Sequence, residues 1–435
     1  MSLVWEVVKD GRRHDERVGA SRGKLLGAVD MASSPCVRLL ALAALGMQAC
    51  HDGESVVIPP PVDAAFASLS AGLLHTCGVT VTDHLYCWGW NRDGEVGDGS
   101  QSDRVFPMRV SDRLSFRTVS AGGGHSCAVT TAGVPYCWGL NLTGQLGDGS
   151  TTSRLTPTTV VGKWLLAGVA SGGTFTCGIS SADSSGHCWG WGRYGQLGSR
   201  PAETCATETG SEPCSPTPIA VSGGLRFLAI NAGTRHTCAL APDSTAYCWG
   251  RNDTGQLGNG TSADTAQPVV VAGGVKFKAV TLGFSHSCGL TAAGDAYCWG
   301  DNTWGQLGDT TRSQSPIPVR VVGGVVFLSL SAGAEHTCGI GTGTTAWCWG
   351  QNLSSELGAE SPETCATQSI TGPCSRRPLP VSTSQTFGLV AAGTHHSCGI
   401  TTSGRAYCWG NNSNGQLGTG NHSGSNVPVL VANQP

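Results

Sequence analysis

Residues 120–150 read SAGGGHSCAVTTAGVPYCWGLNLTGQLGDGS, and closely similar stretches recur along the 435-residue chain. The tripeptide Cys-Trp-Gly marks each copy, with its tryptophan at Trp88, Trp138, Trp189, Trp249, Trp299, Trp349 and Trp409. Successive tryptophans are 50, 51, 60, 50, 50 and 60 residues apart. A repeat of about 40–50 residues with no helical periodicity between copies is typical of propeller blades. The sequence therefore contains seven copies of one structural unit.

Each unit divides into four predicted strands, A to D. In the second unit, strand A is Phe116 to Ala121, strand B is His-Ser-Cys-Ala-Val and strand C is Tyr-Cys-Trp-Gly. Strand D is a Pro-containing run such as Thr156 to Val161, or Pro268 to Val271 in the fourth unit. The predicted fold is all-β, a seven-bladed β-propeller with four-stranded antiparallel blades. A parallel β-helix is disfavoured, because its coils are shorter and would not contain a B–C hairpin.

The repeated string A-G-x-x-H-[ST]-C, followed by Y-C-W-G-x-N-x-x-G-Q-L-G, resembles the repeat of the regulator-of-chromosome-condensation family. The resemblance covers Phe66 to Val431 and implies a closed seven-bladed propeller. It also implies more than one function. Members of that family include a guanine-nucleotide exchange factor for a small GTPase, a secreted β-lactamase inhibitor and simple interaction modules.

Cysteine spacing predicts disulfides. Each unit has one cysteine in strand B and another about ten residues later in strand C, so the two face each other across a hairpin. Directly opposed Cβ atoms in antiparallel strands lie ~4.5–5.5 Å apart, close to disulfide reach. Zinc is disfavoured because no C-x-x-C knuckle occurs. The predicted cross-strand pairs are Cys77–Cys87, Cys127–Cys137, Cys177–Cys188, Cys238–Cys248, Cys288–Cys298, Cys338–Cys348 and Cys398–Cys408.

The third and sixth units are about ten residues longer than the others. Their inserts read ETCATETGSEPCS (203–215) and ETCATQSITGPCS (363–375). Each insert holds two cysteines with eight residues between them, which predicts an Ω-like loop closed by a disulfide, Cys205–Cys214 or Cys365–Cys374.

Histidine precedes the strand-B cysteine in every unit but the third, which has Phe175 there. The six residues are His75, His125, His236, His286, His336 and His396. Because each belongs to a different blade, they lie too far apart to share a metal ion with bonds of ~2 Å. We interpret them as packed, hydrogen-bonded structural residues, and we expect no metal and no cofactor.

Residues 31–50, MASSPCVRLLALAALGMQAC, combine Arg38 with an apolar run, which is typical of a signal peptide. Two interpretations stay open: a lipoprotein signal with Cys50 as the lipidated first residue, or a plain secretion signal. Residues 1–30 are interpreted as a start codon placed too early, and 51–64 as a polar Pro-containing tether before the propeller at 65–435. The apolar run is too short for a membrane anchor, so we expect membrane contact only through a lipid at Cys50.

These features predict an extracytoplasmic bacterial member of the family, in the cell envelope or secreted, since many cysteines suit an oxidising compartment. The net charge of −3 argues against a nucleic-acid partner, which needs a basic stripe. No G-x-S-x-G, H-E-x-x-H or phosphate-loop motif occurs, so we expect neither catalytic residues nor enzyme activity. The predicted function is a monomeric, non-enzymatic scaffold that binds an unidentified protein. The alternatives are the exchange factor and the β-lactamase inhibitor.

Alternate connections of a meander lie on the same side of the propeller. The A–B loops, the C–D turns and both inserts therefore share one face, and the B–C hairpins lie on the other. Loops that vary and carry aromatic residues on a rigid frame are typical of a protein-binding surface. The predicted partner-binding residues are Leu73, Leu74, Trp90, Thr174, Trp191, Tyr194, Arg235, Arg251, Phe284, Trp304, Glu335 and His395.

Overall fold

A computed structural model describes residues 59–207, 210–367 and 369–434. The predicted signal peptide, Cys50 and most of the predicted tether lie outside these residues. The described part of the chain forms seven antiparallel sheets arranged in sequence order. The predicted all-β, seven-bladed propeller is confirmed.

The first four blades comprise strands β1 to β17. Blade 1 has β1 (Phe66–Ala71), β2 (His75–Thr80), β3 (Leu85–Gly89) and β4 (Arg104–Arg109). Blade 2 has β5 (Phe116–Ala121), β6 (His125–Thr130), β7 (Pro135–Gly139) and β8 (Arg154–Thr159). Blade 3 has β9 (Leu166–Ser171), β10 (Phe175–Ser180), β11 (Gly186–Trp191), β12 (Glu203–Thr207) and β13 (Gly210–Ala220). Blade 4 has β14 (Ala229–Ala232), β15 (His236–Leu240), β16 (Ala246–Gly250) and β17 (Thr265–Val270).

A short 3-10 turn (Ala272–Gly274) precedes the last three blades, which comprise β18 to β30. Blade 5 has β18 (Ala279–Leu282), β19 (His286–Leu290), β20 (Ala296–Gly300) and β21 (Ser315–Arg320). Blade 6 has β22 (Phe327–Ala332), β23 (His336–Gly341), β24 (Ala346–Gln351), β25 (Glu363–Ala366) and β26 (Thr371–Pro380). Blade 7 has β27 (Phe387–Ala392), β28 (His396–Thr401), β29 (Ala406–Gly410) and β30 (Ser425–Leu430).

The strand boundaries differ from the prediction in strand D. The prediction began it at Thr156 and Pro268, whereas β8 begins at Arg154 and β17 at Thr265. Proline lies inside the outermost strand because one side of an edge strand needs no N–H donor. Edge prolines also hinder pairing with another chain.

Both inserts are β-hairpins, so the prediction of Ω-like loops is wrong. In blade 3, β12 pairs antiparallel with the first part of β13, and the rest of β13 serves as strand D against β11. In blade 6, β25 and β26 do the same. The second strand of each insert is continuous with strand D, and the two blades are therefore five-stranded.

The A strands line the centre of the propeller and contact the A strands of both neighbouring blades. This ring closes where β27 packs against β1. The backbone N–H of Phe66 donates to Gly404 O (3.1 Å), which repeats the bond that Phe116 makes to Asp83 O (2.8 Å) between blades 1 and 2. Blade 1 uses only N-terminal strands and blade 7 only C-terminal ones. The ring thus closes by ordinary contacts between blades, without exchange of a strand.

Each hydrophobic core lies between two successive blades. Between blades 1 and 2, the Cys77 and Cys87 side chains pack with Phe116 and Trp138, all fully buried. The Trp138 indole N–H donates to Glu95 O in blade 1 (2.8 Å). Five more blade boundaries repeat this indole-to-carbonyl bond, donated by Trp88, Trp249, Trp299, Trp349 and Trp409. The repeated tryptophan therefore joins blades, as packing between units requires.

All nine predicted disulfides are present. In the seven B–C hairpins the two cysteines are directly opposed in register, with Cα atoms 4.0–4.1 Å apart. The insert disulfides Cys205–Cys214 and Cys365–Cys374 have Cα separations of 5.7 and 5.8 Å. Because disulfides persist in oxidising compartments, the pairing indicates an oxidising environment.

This pairing predicts the thiol content of the purified protein. We expect maleimide labelling in denaturant to find no free thiol between residues 65 and 435, since all eighteen cysteines there are paired. Labelling after reduction is the positive control. Two or more labelled propeller cysteines before reduction, or stoichiometric zinc by elemental analysis, would contradict the pairing.

The repeated histidines link neighbouring blades, as predicted for structural residues. His125 Nε2 lies 2.8 Å from Thr176 Oγ1 of the next blade, and His396 Nε2 lies 2.8 Å from Thr76 Oγ1 across the closure. His75, His236, His286 and His336 make the same contact with the next serine or threonine. Phe175 replaces the histidine in blade 3, so this link is missing between blades 3 and 4. Burial lowers the pKa of His125 to about 3 and that of His75 to about 4.

The lowered pKa values of these histidines predict that the folded protein loses stability in acid. The unfolded chain takes up protons below a pKa of about 6.5, whereas the folded protein resists protonation down to about 3–4. Their stabilising contribution is complete above pH 6.5 and declines as the pH falls toward those lower values. At pH 5 each histidine should cost about 2 kcal/mol of unfolding free energy.

The variant His125→Phe tests this, because it copies the residue that blade 3 carries naturally. In denaturant unfolding between pH 7.5 and 4.5, the unfolding free energy of the variant should fall less steeply with pH than that of wild type. The difference in slope should correspond to one proton fewer taken up on unfolding. Thr176 keeps its hydrogen bond to Gln145 O in the variant (2.8 Å). An unchanged slope would show that the histidines do not control acid sensitivity.

Candidate functional site

The A–B loops and C–D turns form one continuous surface, which we call the loop face. Backbone hydrogen bonds connect the A–B loops of successive blades around the whole ring, from Leu73 N to Gly122 O (3.1 Å) through to Thr394 N to Gly72 O (3.2 Å). Within each blade the first residue of the C–D turn bonds to the A–B loop, as Trp191 N does to Thr174 O (3.0 Å). The frame that carries the variable side chains is therefore fixed by its backbone.

The variable A–B residue that precedes the histidine position faces the C–D turn of the preceding blade. Arg235 of blade 4 lies over Trp191 and Tyr194 of blade 3. In the same way, Glu335 of blade 6 meets Gln306 of blade 5. At these two blade boundaries, a loop residue of one blade and the C–D turn of the preceding blade therefore form one site, which we call a notch.

Five of the predicted partner-binding residues lie together at the notch between blades 3 and 4 and beside it. We call Trp191, Tyr194, Arg235, Arg251 and Phe284 the aromatic-cationic cluster. The Arg235 guanidinium carbon lies 5.6 Å from the centroids of the Tyr194 and Phe284 rings and 6.0 Å from that of Trp191. The Arg251 guanidinium carbon lies 5.2 Å from the Tyr194 centroid. All five side chains are half-buried, so the cluster is packed yet still reachable.

The electrostatics of Arg235 are unusual. Arg251 pairs with Asp253, and Arg193 with Glu212 (2.7 Å). Among the described residues, Arg235 has no carboxylate within 4 Å. Burial and the neighbouring Arg251 charge lower its pKa. A cation held over several rings is stabilised by their quadrupoles, by ~0.5–2 kcal/mol per ring.

A second notch, between blades 5 and 6, is acidic. Gln306 Nε2 donates to Asp301 Oδ2 (2.9 Å) and to Glu335 Oε2 (2.7 Å), so two carboxylates share one amide. We call Asp301 and Glu335 the acidic pair. Burial and the Asp301 charge raise the pKa of Glu335 well above its usual range. In the described part of the chain neither carboxylate has a Lys, Arg or His partner within 4 Å.

Glutamate replaces the glutamine of the G-Q-L-G turn in blades 1 and 6. Both Glu95 and Glu356 accept the same bond from the backbone N–H two residues earlier that Gln145 accepts in blade 2. Burial, with Asp93 nearby, raises the pKa of Glu95 to about 8. Burial also opposes ionisation of Glu356, but His395, whose Nδ1 lies 3.5 Å from Glu356 Oε1, lowers its pKa overall.

The two buried glutamates predict opposite responses to the same substitution. The contribution of Glu95 to stability falls as the pH rises from 4.5 toward 8, because Glu95 ionises in the unfolded chain but stays protonated when folded. Glu95→Gln removes this loss and should stabilise the protein at pH 7 by roughly 3 kcal/mol, with little effect at pH 4.5.

Glu356→Gln is the matched control, since it removes the charge that pairs with His395, and it should not stabilise the protein. Denaturant unfolding at pH 4.5 and pH 7 measures both variants. Equal effects of the two substitutions at pH 7 would contradict the assignment.

The other predicted face residues lie apart from the aromatic-cationic cluster. On blade 1, Trp90 stacks with Arg92 at 4.5 Å, Leu73 is 42% exposed, and Leu74 O accepts a bond from Trp90 N. Thr174 contributes its carbonyl to the frame beneath Trp191. His395 faces Glu356 in the notch between blades 6 and 7.

Trp304 is not part of the accessible surface, and its prediction as an exposed anchor is wrong. Its side chain is 5% exposed and packs against Cys365 and Cys374. The insert hairpin of blade 6 covers it, and Arg312 also bonds to Thr303 O and Ala366 O. A contact between two separate blades was invisible in the local sequence.

The sequence reasoning missed several loop-face residues, among them Arg193, Asp253, Asp301 and Glu356. A comparison of the repeats position by position would have found Glu356, because glutamate replaces the glutamine of the G-Q-L-G turn there, as Glu95 does in blade 1. The described residues contain no cluster of His, Cys, Asp or Glu arranged to hold a metal ion. This part of the chain also has no helix of the length and apolarity needed to span a bilayer.

The repeat sequence matches a known family. The Regulator of chromosome condensation (RCC1) repeat profile matches residues 82–129, 133–179, 186–240, 243–290, 293–340 and 403–435. The chain belongs to the RCC1 repeat family. A second profile of the RCC1 repeat matches residues 66–95, 116–145, 227–256, 277–306 and 389–416.

Relatives of this RCC1-repeat chain differ widely in size. It is 29% identical over 197 residues to the ultraviolet-B receptor UVR8 of Arabidopsis thaliana, covering 45% of this chain and 32% of the receptor. It is 30% identical over 243 residues to the human E3 ubiquitin-protein ligase HERC2, covering 51% of this chain and 4% of the ligase. The chain thus spans a third or less of the length of these relatives.

Solved structures share the fold. Yeast RCC1 (Prp20), crystallised with Kap60 bound, superposes with a TM-score of 0.68 at 19% sequence identity. The superposition covers 89% of this chain and 91% of the yeast chain. At this identity the likeness establishes the propeller fold alone.

Proposed function

We propose that the loop face binds a protein partner and that the aromatic-cationic cluster is the centre of that interface. The observation that carries this proposal is the position of Arg235, half-buried among three aromatic rings and without an ion-pair partner in the described chain. Tyr, Trp and Arg are the residues enriched at interface hot spots, which occupy packed central pockets. The fold supports a binding role because it holds the cluster on a fixed backbone.

Membership of the RCC1 repeat family supports the same proposal of a binding role. RCC1-repeat propellers are generally binding or regulatory proteins, and the solved yeast relative is bound to Kap60. We propose that this chain likewise acts without catalysis, as a scaffold. Exchange of a guanine nucleotide and inhibition of a β-lactamase stay secondary proposals, since no loop-face contact favours either of them.

We propose further that the protein works outside the cytoplasm, in the envelope or secreted. Nine disulfides support an oxidising compartment, and the signal-like residues 31–50 support export. The mass of the mature natural protein tests this proposal. A mature N-terminus at or near Cys50 supports export, whereas a chain that retains residues 1–24 contradicts it.

The binding proposal predicts which substitutions abolish capture of a partner. Phe284→Ala and Arg235→Ala should each weaken binding by at least ~2 kcal/mol, roughly thirtyfold, because both remove part of the packed centre. Immobilised protein is exposed to the envelope fraction of the source organism, and captured proteins are quantified by mass spectrometry.

Leu228→Ala is the matched control, since Leu228 is 67% exposed and precedes a strand A at the opposite end from its A–B loop. All three variants should unfold at temperatures close to wild type. If Leu228→Ala reduces capture and the loop-face variants do not, the working surface is the opposite face.

A further inference from the structure

We infer that the partner presents a carboxylate to Arg235 and a cationic side chain to the acidic pair, from a projecting loop or peptide segment. This inference rests on the proposed function, because it names the chemistry of the partner at the same face. Two adjacent parts of the loop face carry opposite charges, and each lacks a counterion within the described chain.

Arg235 provides the cationic part. Among the three arginines of this region, Arg193 and Arg251 already have carboxylate partners, and Arg235 does not. Within the described chain its side chain has ring contacts and no hydrogen bond, so its N–H donors remain available to a partner. A guanidinium donates in a planar fork that fits a carboxylate in bidentate geometry. Burial already removes part of its hydration, which makes a charged acceptor from a partner more favourable.

The charge balance selects a carboxylate over a phosphate. Three arginines and two carboxylates, Asp253 and Glu212, leave one positive charge in this region. A single carboxylate neutralises that charge, whereas a phosphate monoester carries ≈ −1.5 to −2 at pH 7. The acidic pair close by adds repulsion against a second negative charge.

The acidic pair provides the anionic part, and the backbone joins it to the cluster. Phe284 N donates to Ala334 O (3.1 Å), so the loop that carries Phe284 is bonded to the loop that carries Glu335. Asp301 N donates to Ser285 O (2.9 Å), which ties the other carboxylate to the Phe284 loop. A lysine or arginine placed here would meet the Asp301 carboxylate and the Glu335 carboxyl group, which both accept from the Gln306 amide.

The shape of the loop face favours a projecting segment over a second copy of this chain. Arg235, Asp301 and Glu335 are all half-buried on a rigid frame. In two such faces placed against each other, these same half-buried side chains would have to reach one another across the interface. A loop or peptide with side chains of both signs can reach both, and phenyl and indole surface beside Arg235 would pack its apolar residues.

A displayed peptide library tests this inference with the folded propeller as bait. Random dodecapeptides on phage are selected on wild type, and enriched peptides are synthesised and titrated by fluorescence anisotropy. We expect enriched peptides to carry at least one Asp or Glu together with one Lys or Arg. Arg235→Gln should weaken their binding at least tenfold, and Asp301→Asn with Glu335→Gln should do the same.

A double-mutant cycle identifies the contact. If the peptide carboxylate meets Arg235, changing that carboxylate to its amide should weaken binding to wild type but add little loss to Arg235→Gln. Unchanged unfolding temperatures of the variants exclude loss of fold as the cause. Leu228→Ala should bind every peptide as wild type does.

Other outcomes separate the inference from the proposed function. Peptides that need Phe284 but not Arg235, peptides without a carboxylate, or tighter binding of phosphoserine versions would overturn the inference and leave the binding face intact. A wild-type dimer in sedimentation that Arg235→Gln dissociates would also overturn it. Peptides indifferent to Phe284→Ala, Arg235→Gln and the acidic-pair variant would instead contradict the proposed function.

Discussion

The contact on which the structure depends is the insertion of each Cys-Trp-Gly tryptophan against the preceding blade. Trp138 donates its indole N–H to Glu95 O and packs over Gly97, whose φ is +79°. A Cβ at Gly97 would lie 2.6 Å from the indole nitrogen, so only glycine permits this approach. The last glycine of each G-Q-L-G turn is thereby explained by the next blade's tryptophan. Blade shape and blade spacing follow from one repeated contact.

The B–C disulfides and the repeated histidines stabilise the same contacts between neighbouring blades. The B–C disulfide of one blade is fully buried against the phenylalanine and tryptophan of the next, so it contributes to the core as well as to the hairpin. The His-to-Ser/Thr bonds then join the B strands of successive blades around most of the ring. A stable frame of this kind allows loop-face residues to vary without changing the fold.

Departures from the repeat concentrate at the loop face. Phe175 removes the histidine link beneath the notch that Arg235 fills, and Glu356 brings a buried charge that His395 must balance. A missing hydrogen bond or a buried carboxyl group is unfavourable unless a partner compensates it, as His395 does for Glu356. Departures from local rules are expected at functional sites. The oppositely charged notches make one side of the loop face chemically distinct from the rest.

The sequence by itself determined the number of blades, the strand order, all nine disulfides and the face that carries the variable loops. These properties repeat along the chain, so spacing and alternation reveal them locally. Only the tertiary structure decided which variable residues meet. Arg235 reaches Trp191 and Tyr194 because neighbouring blades place loop and turn in one notch, whereas Trp304 lies under a hairpin some sixty residues further along the chain. The inserts became hairpins because strand D continues into them. Contacts between blades depend on how the blades are spaced and oriented around the whole ring, and no single repeat encodes that arrangement.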